Sequence, residues 1–146
     1  MAQPGTQSFE NHARIIPAYH GFAFVLVAIN ALWAIYRVAT DFTGDRLMTL
    51  FAAIALVMIF FYARVFALTV QDRVIRLEMR LRLAQVLPAD LRPRINEFTV
   101  NQLCALRFAS DAELPDLARR VLTDNVSDRK SIKKMVKHWE ADWLRA

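Results

Sequence analysis

At 146 residues the chain has the length of one ordinary domain, yet 55% of its residues are hydrophobic and 23% are charged, a balance that a water-soluble domain of this size seldom shows. Its one cysteine, Cys104, excludes an intramolecular disulfide and a multi-thiolate metal site within one chain, and its 3 glycines form neither a phosphate-cradling loop nor a nucleophile elbow. The formal charge of +5 is concentrated in two places: 7 Arg against 3 acids between Arg64 and Ile95, and a basic C-terminal stretch. That distribution suits an anionic lipid surface better than a nucleic-acid track, because acids interrupt the bases and no aromatic platform or recognition helix accompanies them.

The first residues, Met1 to Arg14, lack the basic region, short apolar core and small-residue cleavage site of a signal peptide, so the segment is expected to be retained. From Ala18 to Tyr36 the chain reads AYHGFAFVLVAINALWAIY, without a formally charged side chain and long enough, at a rise of about 1.5 Å per residue, to cross a hydrocarbon core. Tyr19, Trp33 and Tyr36 stand toward its ends, where amphipathic rings favour the membrane interface. Asn30 is the strongly polar side chain in its middle, and an amide in hydrocarbon seeks a partner on another helix.

The turn VATDFTGD follows, then a second apolar run from Leu47 to Ala63, LMTLFAAIALVMIFFYA, in which the Thr49 hydroxyl can bond to the preceding helical turn. Two such runs joined by a short polar turn predict an antiparallel transmembrane hairpin over residues 18–68. Arg37 and Arg46 border the turn, whereas Arg64, Arg73, Arg76, Arg80 and Arg82 follow the second run and Arg14 precedes the first. The positive-inside tendency therefore predicts both termini on the cytoplasmic side of the membrane. Arg64, Arg73, Arg76 and Arg80 are the residues expected at the lipid surface, Arg64 by extending its stem toward the headgroups.

No Gly or Pro occurs between Asp45 and Leu87, so the second run is predicted to continue as one long helix, an amphipathic stalk with its following turn over 69–98. On this stalk Val70, Val74, Leu77, Leu81 and Ala84 share one face with the alternating spacing of a coiled-coil seam. Leu68, Ile75, Met79, Leu83 and Val86 share the opposite face. Periodicity leaves open which face meets the chain's own tail and which meets a partner, so Val70, Val74, Leu77, Leu81, Ile75, Met79 and Leu83 all stand as candidate partner-binding residues, with Asn30 in the first span.

Pro88 and Pro93 predict a corner, and a small helical domain follows over 99–146. Thr99 with Gln102 and Ser110 with Glu113 match the capping-box pattern, with Pro115 able to move the second helix start later, while Asp111, Glu113 and Asp116 read as acids that complement a helix N-terminus. Ser127 is the expected cap of a last helix, DRKSIKKMVKHWEADWLRA, with Ile132, Met135, Val136, Trp139 and Trp143 on one stripe and Lys130, Lys133, Lys134 and Lys137 opposite. That stripe fits the interior of its own domain, with a membrane interface as the alternative. The dispersed His12 and His20 are weak as haem or metal ligands, and no cofactor, metal or catalytic group is expected.

The segments QSFENHARIIPAYH, FFYARVFALTVQDRVIRLEMRLRL, ALRFASDAELPDLARRVL and SIKKMVKHWEADWLRA together resemble an uncharacterised bacterial family of small two-span membrane proteins, a domain of unknown function. The resemblance implies the hairpin and helical tail and carries no assigned site residues. The resulting expectation is an all-α membrane protein: a cytoplasmic segment over 1–17, the hairpin, a second span running on into the stalk, and the C-terminal domain. Its expected role is that of a non-enzymatic accessory or scaffold subunit of an inner-membrane complex, with respiratory and photosynthetic assemblies as possible hosts, whose partners are membrane lipids and other membrane-protein subunits. The alternative is a self-associating membrane protein with a sensory or envelope-organising role.

Overall fold

The computed structural model describes residues 8–10 and 16–142. The described chain is mostly helical and falls into two compact units, residues 14–68 and residues 69–146 together with 1–13.

In the unit of residues 14–68, a π-helical segment Pro17–Ala23 leads directly into α1, Phe24–Thr40. Pro17 opens this segment at a position whose N–H has no helical partner, and its ring pre-sets φ. The antiparallel neighbour begins at Gly44, the start of α2, Gly44–Val86. Arg46 braces the turn between them: its Nη1 donates to the carbonyl oxygen of Asp41 at 2.7 Å and to that of Arg37 at 3.3 Å, and lies 2.7 Å from the Asp41 carboxylate. The Thr49 hydroxyl donates to Asp45 O at 2.8 Å, one helical turn back, as the sequence predicts. At the other end of the hairpin the Tyr19 hydroxyl donates to Phe60 O at 2.6 Å while the two rings stack 4.4 Å apart. Tyr19 therefore ties the two helices together, a role its expected interface position does not reveal. Among the described residues of this unit the buried ones are Ala34 and Ala53, small side chains of the kind that lets helix backbones approach. Large apolar side chains such as Phe22, Leu32, Phe51 and Ile59 are exposed. The stretches Pro17–Thr40 and Gly44–Val86 are each long and apolar enough to cross a membrane.

The unit containing residues 69–146 has a packed core. Leu83, Leu87, Leu103, Leu106, Phe108, Leu114, Val121 and Ile132 are its largest fully enclosed side chains. Helix α2 ends ahead of Pro88, which cannot continue the helical hydrogen bonding, and Arg92 Nε donates to Leu87 O at 2.8 Å, satisfying a carbonyl that the helix end leaves open. After a 3-10 segment, Arg92–Glu97, helix α3, Val100–Leu106, starts at the predicted capping box: the Gln102 N–H donates to Thr99 Oγ1 at 3.3 Å and the Thr99 N–H donates to Gln102 Oε1 at 2.8 Å. The buried Gln102 amide also donates to Val126 O at 2.9 Å, which holds α3 against the loop that precedes the last helix.

Helix α4, Leu114–Thr123, starts later than the Ser110 pattern alone implies, with Glu113 at its N-cap and Pro115 in its first turn. The Ser110 hydroxyl still accepts the Glu113 N–H at 3.4 Å. At its far end Asn125 adopts a left-handed conformation, φ 48°, and the Val126 N–H donates to Val121 O at 3.1 Å, closing a Schellman motif.

The last helix departs from expectation. Helix α5 covers Arg129–Met135 only, and Asp128 rather than Ser127 caps it, accepting the Ser131 N–H at 2.8 Å. Beyond Met135 the chain turns extended and pairs with the segment after α3: the Ser110 N–H donates to His138 O at 3.0 Å and the Glu140 N–H to Phe108 O at 2.8 Å, around an antiparallel bridge of Ala109 with Trp139. The Glu113 carboxylate accepts the N–H groups of both Lys137 and His138, at 2.9 and 2.8 Å. These tertiary partners satisfy backbone groups that a helix would otherwise have paired internally, which is why a strong amphipathic pattern stops after two turns. Trp139 reaches the core by packing its ring, tilted, against Phe108 with centroids 4.7 Å apart, instead of by helical spacing. Trp143 lies outside the described residues.

Candidate functional site

The stalk part of α2 carries the two apolar faces read from the sequence, and the structure treats them differently. Ile75, Met79 and Leu83 are 5%, 3% and 0% exposed, whereas Val70, Leu77 and Leu81 are 61%, 63% and 60% exposed. Val74 is also exposed. Ile75, Met79 and Leu83 belong to the core together with Leu103, Cys104, Leu106 and Ile132, which removes them from the surface open to a partner. Leu68 shares their periodic face but lies exposed, ahead of the stretch that the tail covers.

The inner face is fixed by polar contacts at its borders. Arg82 donates from Nη2 to Ala109 O at 2.7 Å and from Nη1 to Arg107 O at 3.1 Å, and it pairs with the carboxylates of Asp111 at 2.7 Å and Glu140 at 2.9 Å. One guanidinium thus joins α2 to both sides of the short bridge, a use of its planar fork that an ammonium could not copy. Asp111, expected at a helix start, acts as the acid of this cluster. Two helical turns before Met79, Asp72 accepts from Arg129 Nη2 at 2.6 Å and from the Cys104 thiol at 3.4 Å, while Arg129 Nε donates to Asn101 at 2.8 Å. Burial, reinforced by the Asp72 charge, pushes the Cys104 thiol up to about 11, so it stays protonated and is a poor nucleophile. Sequence reasoning misses these contacts because the partners lie far apart along the chain. The detectable signal is a base and an acid interrupting the apolar periodicity on the inner side of the stalk.

The outer face has a different border. Arg73, Arg76 and Glu78 are exposed and make no ion pair among the described residues. Arg80 is half-buried, with its Nε shielded and without a hydrogen-bond partner among the described residues, and Arg64 is also half-buried. Asn30 is exposed on α1, in the other unit of the chain.

Other candidate chemistry is weaker. A cleft of about 480 Å³ beside α4 is lined by mixed charges including Asp116, Arg119, Arg120 and Lys137, but its central acid, Glu113, is already committed to two backbone N–H groups. The His20 Nδ1 accepts the Ile16 N–H at 3.1 Å, and His12 lies outside the described residues. Among the described residues no three His, Cys, Asp or Glu side chains converge as a metal site requires.

The architecture defines a helical protein with two helices apolar and long enough to cross a membrane and a compact helical unit whose core includes the last part of α2. Over residues 1–146 the chain matches the model of the family of unknown function DUF6526, and it belongs to that family. No curated protein and no solved structure matches it.

Proposed function

We propose that the protein is a non-enzymatic accessory or scaffold subunit of the bacterial inner membrane, anchored by a two-span hairpin with both termini cytoplasmic, that docks through the outer face of α2. The observation that carries this reading is the contrast within one helix: its inner apolar face is enclosed, and Val70, Val74, Leu77 and Leu81 remain exposed in a row. Exposed large apolar side chains aligned over several turns mark an interaction surface, because leaving them in water forfeits about 25 cal/mol for each Å² of apolar area. The arginines after the second span support the cytoplasmic orientation, and Asn30, exposed within α1, supplies an amide that another helix in the membrane can satisfy.

A photo-crosslinking amino acid at position 77 in cells tests the reading. A discrete protein adduct from position 77, with none from the enclosed position 75, is the expected result. Adducts to lipid alone would overturn it.

A further inference from the structure

Resting on that docking reading, we propose that the occupant of the outer face is a second copy of the same chain, packed in parallel as a short two-stranded coiled coil over Val70–Ala84. The exposed residues set the heptad. With Val74 and Leu81 at a positions, Val70, Leu77 and Ala84 fall at d, a seam whose β-branched Val74 followed by Leu77 is the combination that favours two strands.

The same register places Arg73 and Arg80 at g, and Glu78 and Gln85 at e. In a parallel pair, a residue at g faces the e residue five positions later on the other helix, so Arg73 of each copy meets Glu78 of the other, twice by symmetry. Arg80 likewise meets the Gln85 amide, whose oxygen is an acceptor for the guanidinium. Arg73 and Glu78 are exposed and have no ion pair among the described residues of one chain, so the complementary charges are available to a partner.

Orientation provides an independent check. An antiparallel pair would set g against g, bringing arginine toward arginine. Two copies inserted with the same membrane topology carry α2 in the same direction, which is the arrangement that the charges favour. The inner face does not compete for this seam: Asp72, Ile75, Met79, Arg82 and Leu83 fall at b, c and f, the positions a two-stranded coiled coil turns away from its partner, and here the tail covers them.

The full-length chain, expressed with two distinguishable tags and reconstituted in lipid nanodiscs large enough for two copies, tests the proposal through charge reversal and cysteine placement. Arg73→Glu and Glu78→Arg each set like charges against one another and weaken association by about fivefold, while the double variant restores it to within about twofold. Leu77→Cys, at d, oxidises to a disulfide-linked dimer, and Arg76→Cys, at c, does not; the enclosed Cys104 of the parent chain gives the baseline. A double variant as weak as either single, or no dimer from Leu77→Cys, overturns the second-copy proposal. If position 77 instead crosslinks in cells to one different protein, the docking reading stands and the second copy fails. Crosslinking to lipid alone ends both.

Discussion

The two faces of the α2 stalk are built from the same kinds of residue and have opposite fates. Ile75, Met79 and Leu83 vanish into a core; Val70, Val74, Leu77 and Leu81 stay exposed. What separates them is the company they keep. Asp72 and Arg82, which interrupt the inner face, find Arg129, Asp111 and Glu140 on the tail, whereas Arg73 and Glu78, which flank the outer face, have no ion pair among the described residues. Apolar periodicity marks a surface as sticky, and the polar residues along its border decide what it sticks to.

The sharpest way to break this comparison is to truncate each face equally. Leu83→Ala should destabilise the tail by about 2–5 kcal/mol, through lost burial plus a cavity, while Leu77→Ala should change the tail's own stability by no more than about 0.5 kcal/mol. Hydrogen exchange at the α3 amides of the full chain reads both, and equal acceleration would erase the distinction between the faces.

A second cut goes through the polar border. Arg82→Ala removes two ion pairs and two bonds to backbone carbonyls and should cost about 2 kcal/mol by the same exchange measurement, with Arg82→Lys recovering only part of it because an ammonium cannot span both carbonyls and both acids. Full recovery by lysine would show that charge alone, without the fork geometry, holds the inner face.

Titration sharpens the comparison further. Well below pH 9 the Cys104 thiol is neutral in both folded and unfolded chains; as pH rises through 9.0, its ordinary value, toward about 11, the unfolded chain ionises first and tail stability falls. Cys104→Ala should flatten that slope, measured as alkaline unfolding followed by hydrogen exchange at the α3 amides. The smallest effect belongs to Asp128. The Ser131 N–H and hydroxyl, its principal hydrogen-bond donors, hold its carboxyl below the usual range, so its capping contribution is present above the unfolded-state value and is lost as pH falls through the folded one. Asp128→Asn, still a capping residue but without the charge, should remove that acid dependence while α5 persists by circular dichroism.

Much of this protein is written locally. Apolar length without charge marks Ala18–Tyr36 and Leu47–Ala63 as candidate spans, the absence of Gly and Pro from Asp45 to Leu87 carries α2 through 43 residues, and Thr99 with Gln102 announces α3, because all three depend on neighbours within a few helical turns. The two-faced stalk is equally legible, since the helical period alone sets side-chain direction. Tertiary structure decided the rest. It ended α5 at Met135, where Glu113 and the Phe108–Ser110 segment offered backbone partners from distant positions, and it chose Ile75, Met79 and Leu83 over Val70, Val74, Leu77 and Leu81 for the core. Both faces offered comparable apolar area to water; only the inner one brought Asp72 and Arg82 against charges and carbonyls that sequence separation hides, and burying polar groups with partners is far less costly than burying them without.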